Sequence, residues 1–323
     1  MQKVIGLGNV LVDILVKIET EDTLKELNLP KGSMQLIDGA RYGKINRWMQ
    51  GKDLRRTTGG SAANTILALA NLGAAPRFIG KKGKDENGRF FTENCAAHHI
   101  SFDYIEDESL ATGVASTFIT PDGQRTFATY LGAAAALRPE DIKMSHFEGY
   151  NLFYIEGYMV QNHDVINRAV YLAHAAGLKV GLDLASYNIV EQEREFFAEL
   201  LKNVDIVFAN EEESYAYTHK SPEESVHELA KLCETAVVKI GKRGSLVCRG
   251  AEEVQVPSLP NVKVTDTTAA GDYFAAGFLY GMCNGRSLED CARYGTLLAG
   301  NIVQVVGTQL PESTWQEIRA IVS

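Results

Sequence analysis

Asp266-Thr267-Thr268-Ala269-Ala270-Gly271-Asp272 joins a short β-like run, Val262–Val264, to a helix of small residues expected from Ala270 to about Met282. A tight turn of small residues entering a helix leaves backbone N–H groups at the positive end of the helix dipole, which makes an anion site. Phosphate is the anion most often held there. Asp272 is out of place beside bound phosphate, because the two negative charges repel. Its carboxylate either takes a proton from the group attacking the phosphate or simply favours the first helical turn as a negative charge. The turn itself leaves both readings open.

The flanking segments set this turn in an α/β frame. Strands are expected at Leu152–Ile155, Leu178–Leu184, Ile206–Ala209 and Ala236–Ile240, with helices between them at His163–Ala176, Val190–Leu201 and Pro222–Glu234. Strands apolar on both faces, separated by amphipathic helices, argue for a parallel sheet covered on both sides. In such a sheet ligands bind outside the carboxyl ends of the strands. Asn210-Glu211-Glu212-Glu213, Lys239-Ile240-Gly241-Lys242-Arg243-Gly244 and Asp266–Asp272 each follow an expected strand. Singly, the acidic cluster reads as a helix N-terminus and the Gly241/Gly244 loop as an ordinary turn. Three such places at one edge, an anion hole among them, favour a nucleoside triphosphate with Mg2+.

The N-terminal half carries a second set of polar residues. Gly6-Leu7-Gly8-Asn9-Val10-Leu11 opens like a dinucleotide fingerprint but lacks the third glycine. Apolar, β-branched Val12–Ile18 then stands where a phosphate-capping helix is needed. Asp13 is a lone acid in that apolar strand. A buried carboxylate needs partners; two vicinal hydroxyls of a sugar would serve, and so would backbone donors. Gly59-Gly60, just before an Ala/Leu-rich helix reaching Leu72, lets a ligand approach the backbone. Asn64, one turn into that helix, binds something or caps locally. Tight helix packing accounts for the alanines but not for the two glycines and Asn64 together. Thr112–Thr120 and Arg125–Leu131 flank the turn Pro121-Asp122-Gly123-Gln124, so a hairpin interrupts the βα rhythm and stands off the main sheet.

The 323 residues are 45% hydrophobic and 23% charged, enough for one large domain or two smaller ones. No repeat, low-complexity tract or long linker divides them, which favours a single α/β domain over 1–323. The net charge of −9 argues against nonspecific nucleic-acid binding. Five cysteines, without C-x-x-C spacing, argue against a disulfide framework or a zinc knuckle and for the cytoplasm. No apolar run approaches the roughly 20 residues that span a bilayer. Met1-Gln2-Lys3 leads into a strand with no apolar leader segment.

Gly59-Gly60-Ser61-Ala62-Ala63-Asn64, Asn210-x-x-Glu213 and Asp266–Asp272, in this order, give the chain a resemblance to the ribokinase/PfkB family of small-molecule kinases over almost its whole length. Gly8-Asn9-x-Leu11-x-Asp13-Ile14, Thr112-Gly113, Tyr154-Ile155-x-Gly157 and Gly307-Thr308-x-x-Pro311 make it most similar to the adenosine-kinase-like branch. The resemblance implies a ribokinase-like α/β fold: a Rossmann-like, mostly parallel central sheet with helices on both faces, and a small β lid from about 15–38 and 112–131. It implies ATP-dependent phosphorylation of the primary hydroxyl of a sugar or ribonucleoside, by a monomer or a lid-mediated homodimer. The P-loop pattern G-x-x-x-x-G-K-[ST] is absent, which excludes that other kinase class.

Roles follow from the resemblance position by position. Asp272 would accept the proton of a substrate CH2–OH. N–H groups of Ala269, Ala270 and Gly271 would hold the transferring phosphoryl group. Many members have Gly at the position of Ala269; Ala keeps the N–H, provided its φ is negative. Asn210 and Glu213 would organise Mg2+ through water, and Asn210, Lys239, Gly241 and Gly244 would line the ATP site. Asp13, Gly60 and Asn64, helped by Asn9, would grip the sugar hydroxyls. In many members the positions of Asp266 and Thr268 also help bind a monovalent cation such as K+. Adenosine kinases stack the purine between aromatic side chains; here Asn188 stands at one such position, Tyr158 at the other, and Glu156 adds a charge nearby. A sugar, a purine nucleoside and another nucleoside therefore all stay open as acceptors, as does a ligand-binding protein that kept the fold and lost catalysis.

Overall fold

The computed structural model describes residues 3–322; Met1 and Gln2, used in reading the N-terminus, lie outside them. Among the described residues the strands of the first half are β1 (Val4–Leu7), β2 (Leu11–Lys17), β3 (Met34–Leu36), β4 (Leu54–Gly59), β5 (Arg77–Gly83), β6 (Ser101–Asp107), β7 (Gly113–Ile119) and β8 (Arg125–Tyr130). The second half adds β9 (Leu152–Ile155), β10 (Lys179–Asp183), β11 (Ile206–Asn210), β12 (Thr235–Lys239), β13 (Ser245–Arg249) and β14 (Glu252–Val256).

The larger sheet has the order β14-β13-β12-β11-β10-β9-β1-β5-β6. It is parallel from β12 to β6, with β13 and β14 antiparallel at one edge. Its strands are apolar on both faces because both are covered. Tyr154, Phe208 and Val237 pack with Phe274 and Phe278 on one side. Phe153, Ile155, Leu182 and Val207 pack with Val165, Phe197 and Leu229 on the other. The carboxyl ends of β10, β11 and β12 bring Asp183, Asn210 and Lys239 to one edge.

The smaller sheet has the order β3-β8-β7-β2-β4. One face, with Val12, Ile14, Val16, Val114, Phe118 and Ala128, packs on Leu24, Ile45 and Met49 of the helices Asp22–Glu26 and Gly39–Met49. Strand alternation turns the neighbouring residues to the opposite face. There the register runs in one row Leu36–Thr129–Ala115–Asp13–Thr57 and in the next Met34–Phe127–Thr117–Leu15–Arg55. The hairpin read from Pro121-Asp122-Gly123 does stand off the main sheet, as β7 and β8.

Three expectations change. β4 was unforeseen, since Arg55-Arg56 gives it no apolar pattern, yet charges suit a strand at the edge of a sheet, where β4 lies. The Val190–Leu201 helix divides into Tyr187–Gln192 and Arg194–Leu200 at Glu193, which leaves helical geometry at φ −106°, ψ 22°. Val262–Val264 is not a strand. Pro257 and Pro260 lack the N–H groups a ladder needs, and the chain docks elsewhere. Thr265 and Asp266 N–H both donate to the Val303 carbonyl, at 2.7 and 3.1 Å, beyond the end of the Leu288–Ile302 helix.

Candidate active site

Two helices meet with their N-termini facing one place. The Ser61–Asn71 helix is alanine-rich and lies close against the Ala270–Cys283 helix. Ser61 Oγ therefore donates to Asp272 Oδ1 at 2.6 Å, Asn64 Nδ2 donates to Asp272 Oδ2 at 2.9 Å, and Thr65 Oγ1 donates to the Asp272 carbonyl at 3.1 Å. Burial pushes the Asp272 carboxyl up to about 7, against the Ser61 and Asn64 bonds that hold it down; Asp183 adds repulsion and Lys239 offsets part of it. Asn64 is thus buried and tied to Asp272.

Asp13 approaches from β2 of the smaller sheet. Its carboxylate lies against Gly59, where a Cβ would overlap it. Burial pushes Asp13 up to about 7, the Asp272 charge adds to this, and Arg125 opposes it. Asn9 is committed to Glu156: Oε1 of Glu156 accepts from Asn9 N–H at 2.9 Å and Asn9 Nδ2 at 2.6 Å. Glu156 Oε2 accepts from Ala62 N–H at 2.8 Å. Glu156 is buried, raised by desolvation, and joins β1, β9 and the Ser61–Asn71 helix. It is not presented to a ligand. Gly60 is the cap of that helix, with φ 94°. Tyr158 is half-buried and burial raises its phenol. Asn188 is exposed and accepts from Ser186 Oγ at 2.8 Å.

At the strand ends, Lys239 Nζ pairs with Asp183 Oδ2 at 2.9 Å. The Lys239 pKa rises even though burial pulls it down, because Asp183 and Glu213 favour the charged form. Asn210 and Glu213 form a reciprocal cap. Asn210 N–H and Nδ2 donate to the two Glu213 oxygens at 2.7 Å each, and Glu213 N–H donates to Asn210 Oδ1 at 2.8 Å. The bland reading of this acidic cluster therefore holds as far as local structure goes. Yet Glu213 is buried and pushed up to about 7 by desolvation and by Asp183, with Lys239 opposing. Gly241 and Gly244 bracket one helical turn after β12, at φ 55° and 100°.

The turn itself departs from expectation at Ala269. Its φ is +62°, in the left-handed region, not negative. The Ala270 N–H is spent on the Thr267 carbonyl at 3.2 Å. The first intrahelical bond runs from Tyr273 N–H to the Ala269 carbonyl. Gly271 and Asp272 N–H precede it and point out of the helix end. The Asp266 carboxylate accepts from Thr268 N–H (3.1 Å), Thr268 Oγ1 (2.7 Å) and Gly307 N–H (2.7 Å) and is ion-paired with Arg125 Nη1 at 2.8 Å, which itself donates to Thr268 Oγ1 at 3.2 Å. Both carboxylate oxygens are engaged. Asp266 and Thr268 thus hold a guanidinium from the smaller sheet.

The model of the pfkB family carbohydrate kinases matches residues 34–315 of this chain. The chain belongs to the PfkB family. The fold is also that of an adenosine kinase from Sinorhizobium meliloti, 34% identical, with a TM-score of 0.89 over 99% of both chains. A probable sugar kinase from Rhizobium etli is 32% identical, with a TM-score of 0.89 over 99% of this chain and 98% of that one. A ribokinase from Arabidopsis thaliana is 29% identical over 84% of this chain and 73% of that one.

As a PfkB kinase the chain is an ATP-dependent phosphotransferase acting on a sugar or nucleoside. Of the residues expected at its site, Asn64 and Asp13 come together with Asp272, and Lys239 faces both Asp272 and Glu213. Asn9 and Asp266 are engaged by protein partners. Asp183 and Arg125 were missed. An acid inside the expected Leu178–Leu184 strand was the available signal for Asp183, the same signal that marked Asp13. Nothing in the hairpin sequence tied Arg125 to Asp266. No helix among the described residues is long and apolar enough to cross a membrane.

Proposed function

We propose that this PfkB kinase transfers the γ-phosphoryl group of ATP to the primary hydroxyl of a ribonucleoside. The observation that carries this reading is the row from Asp13 to Leu36 on the face of the smaller sheet opposite its helices, buried along its middle and exposed at Leu36. Asp13 suits the vicinal hydroxyls of a ribose. Leu36 lies three strand spacings away, about 14 Å, a long reach for a lone sugar. Beside it Met34 and Phe127 continue the apolar edge, and Met34 and Leu36 are 47% and 49% exposed. Apolar surface left open beside a polar anchor suits a flat base. Glu156 does not oppose a purine, since its charge is spent on Asn9 and Ala62.

Ser61 and Asn64 orient the Asp272 carboxylate toward the incoming hydroxyl, whose proton it takes. Gly271 and Asp272 N–H supply donors for the phosphoryl oxygens. The Gly241–Gly244 turn and Lys239 border the ATP. A divalent cation fits beside Glu213, a buried carboxylate crowded by Asp183 that would gain from added positive charge. Because Asn210 occupies both Glu213 oxygens, the contact would run through water, as suits Mg2+. Bound there, Mg2+ would neutralise charge on the phosphate oxygens. A monovalent cation such as K+ at Asp266 and Thr268 would have to share the Asp266 carboxylate with the Arg125 guanidinium. The segments 15–38 and 112–131, extended by β4, would act as the lid of one kinase domain, with Arg125 tying it to the phosphate turn.

The test is ATP consumption with adenosine, inosine, guanosine, uridine and a panel of furanose and pyranose sugars. A nucleoside should exceed every sugar in kcat/KM by at least ~100-fold, about 2.7 kcal/mol of transition-state binding. A sugar turned over while all nucleosides stay inert would overturn the base site. ATP bound without turnover on any acceptor would support a silent binding protein.

A further inference from the structure

We propose that Lys239 contacts the transferring phosphoryl group itself, and that Asp183 is the residue that positions it. This rests on residues 266–272 being the phosphate turn. Lys239 sits at the end of β12, beside the Gly241–Gly244 turn, but its ammonium points the other way. Nζ lies only 3.0 Å from where a Cβ on Gly271 would stand. Gly271 N–H is one of the donors ahead of the first intrahelical bond, so a cation and the helix N-terminus share one small space. A bare Cα at 271 is what lets the ammonium in.

The ammonium is held rather than loose. Asp183 Oδ2 takes one of its hydrogens at 2.9 Å. Asp183 Oδ1 accepts from Ala185 N–H at 2.8 Å. Ala185 is in the left-handed region at φ 67°, and the Asp183 side chain is 9% exposed. Both carboxylate oxygens are therefore fixed, and the ammonium keeps two N–H groups for a ligand. The charged groups facing it come from three elements: Asp183 of β10, Glu213 of the Glu211–Thr218 helix and Asp272 of the Ala270–Cys283 helix. A triphosphate entering among three carboxylates needs such a cation. The terminal phosphoryl group, at the helix end, is the part that would meet it.

The experiment is calorimetric titration of the full chain with Mg·ATP and, separately, Mg·ADP, with no acceptor present. Lys239→Met should weaken Mg·ATP by about tenfold or more and Mg·ADP by less than about twofold. Equal losses, or no loss, would overturn the proposal, the first meaning that Lys239 lines the nucleotide in general. Asp183→Asn should show the same selectivity with a smaller loss. The double variant should lose no more than Lys239→Met alone, since Asp183 acts through the lysine; summed losses would overturn its positioning role. The double variant also removes both charges of the pair, so it serves if Lys239→Met alone, with Asp183 left unpaired, does not fold. No Mg·ATP binding by the unaltered chain would instead sink the phosphate turn, and the proposal with it.

Discussion

Asp272 was visible as an anomaly, an acid in an anion site, and the structure gives that acid its surroundings. Ser61 and Asn64 fix both oxygens, and burial holds the carboxyl near 7. In the proposed mechanism its ionised form is the base. Activity should therefore rise about tenfold per pH unit below about 7 and level off above it. Asp272→Asn should keep Mg·ATP affinity within about twofold while turnover falls at least ~100-fold. A near-normal rate in that variant would remove the base assignment. Asp183 carried the same signal as Asp13, an acid in an apolar strand, but nothing near it in sequence named its partner. Its meaning appears only when β12, more than fifty residues later, brings Lys239 alongside.

The Ala270–Cys283 helix was legible almost to the residue, from its run of small side chains. The conformation just ahead of it was not. Composition says that Ala269 is small; it does not say that the backbone there turns left-handed, at φ +62°. Left-handed backbone costs a non-glycine residue on the order of 1–2 kcal/mol. Ala269→Gly should thus raise stability by about 1 kcal/mol, read as a higher urea midpoint with an unchanged slope, while Mg·ATP still binds. A lower midpoint would mean that the alanine methyl contributes packing worth more than the strain. β4 and the lost Val262–Val264 strand share one lesson. Local β propensity depends on what lies beside the segment, and edge position or a docking carbonyl was not written locally.

At the scale of the molecule, the cleft gathers carboxylates that burial disfavours. Asp13, Asp272 and Glu213 are each pushed up to about 7, and Glu156 is raised as well. From about pH 5.5 to 7 these groups make the folded chain bind more protons than the unfolded chain, so stability falls as pH rises through this window. His146 works in the opposite direction, since burial lowers its pKa; the carboxylates that hydrogen bonds and ion pairs hold low, such as Asp107, Asp122 and Glu228, oppose the trend only nearer pH 4, where they would be protonated in the unfolded chain. The ligand-free protein should melt several degrees lower at pH 8 than at pH 5.5. Asp13→Asn should flatten that slope and melt above the unaltered chain at pH 8. Parallel melting curves for the two proteins at both pH values would count against the buried-carboxylate account.

Sequence alone determined the α/β frame, singled out the turn at 266–272 and named most of the polar residues around it. Strand periodicity, small-residue runs and misplaced charges are local signals, and a chain carries them before it folds. The tertiary structure decided which of those residues are free for a ligand. Glu156 turned inward to Asn9 and Ala62, Arg125 crossed from the smaller sheet to Asp266, and Asp183 met Lys239. Each of these contacts joins segments distant along the chain, so no window of sequence contains both partners.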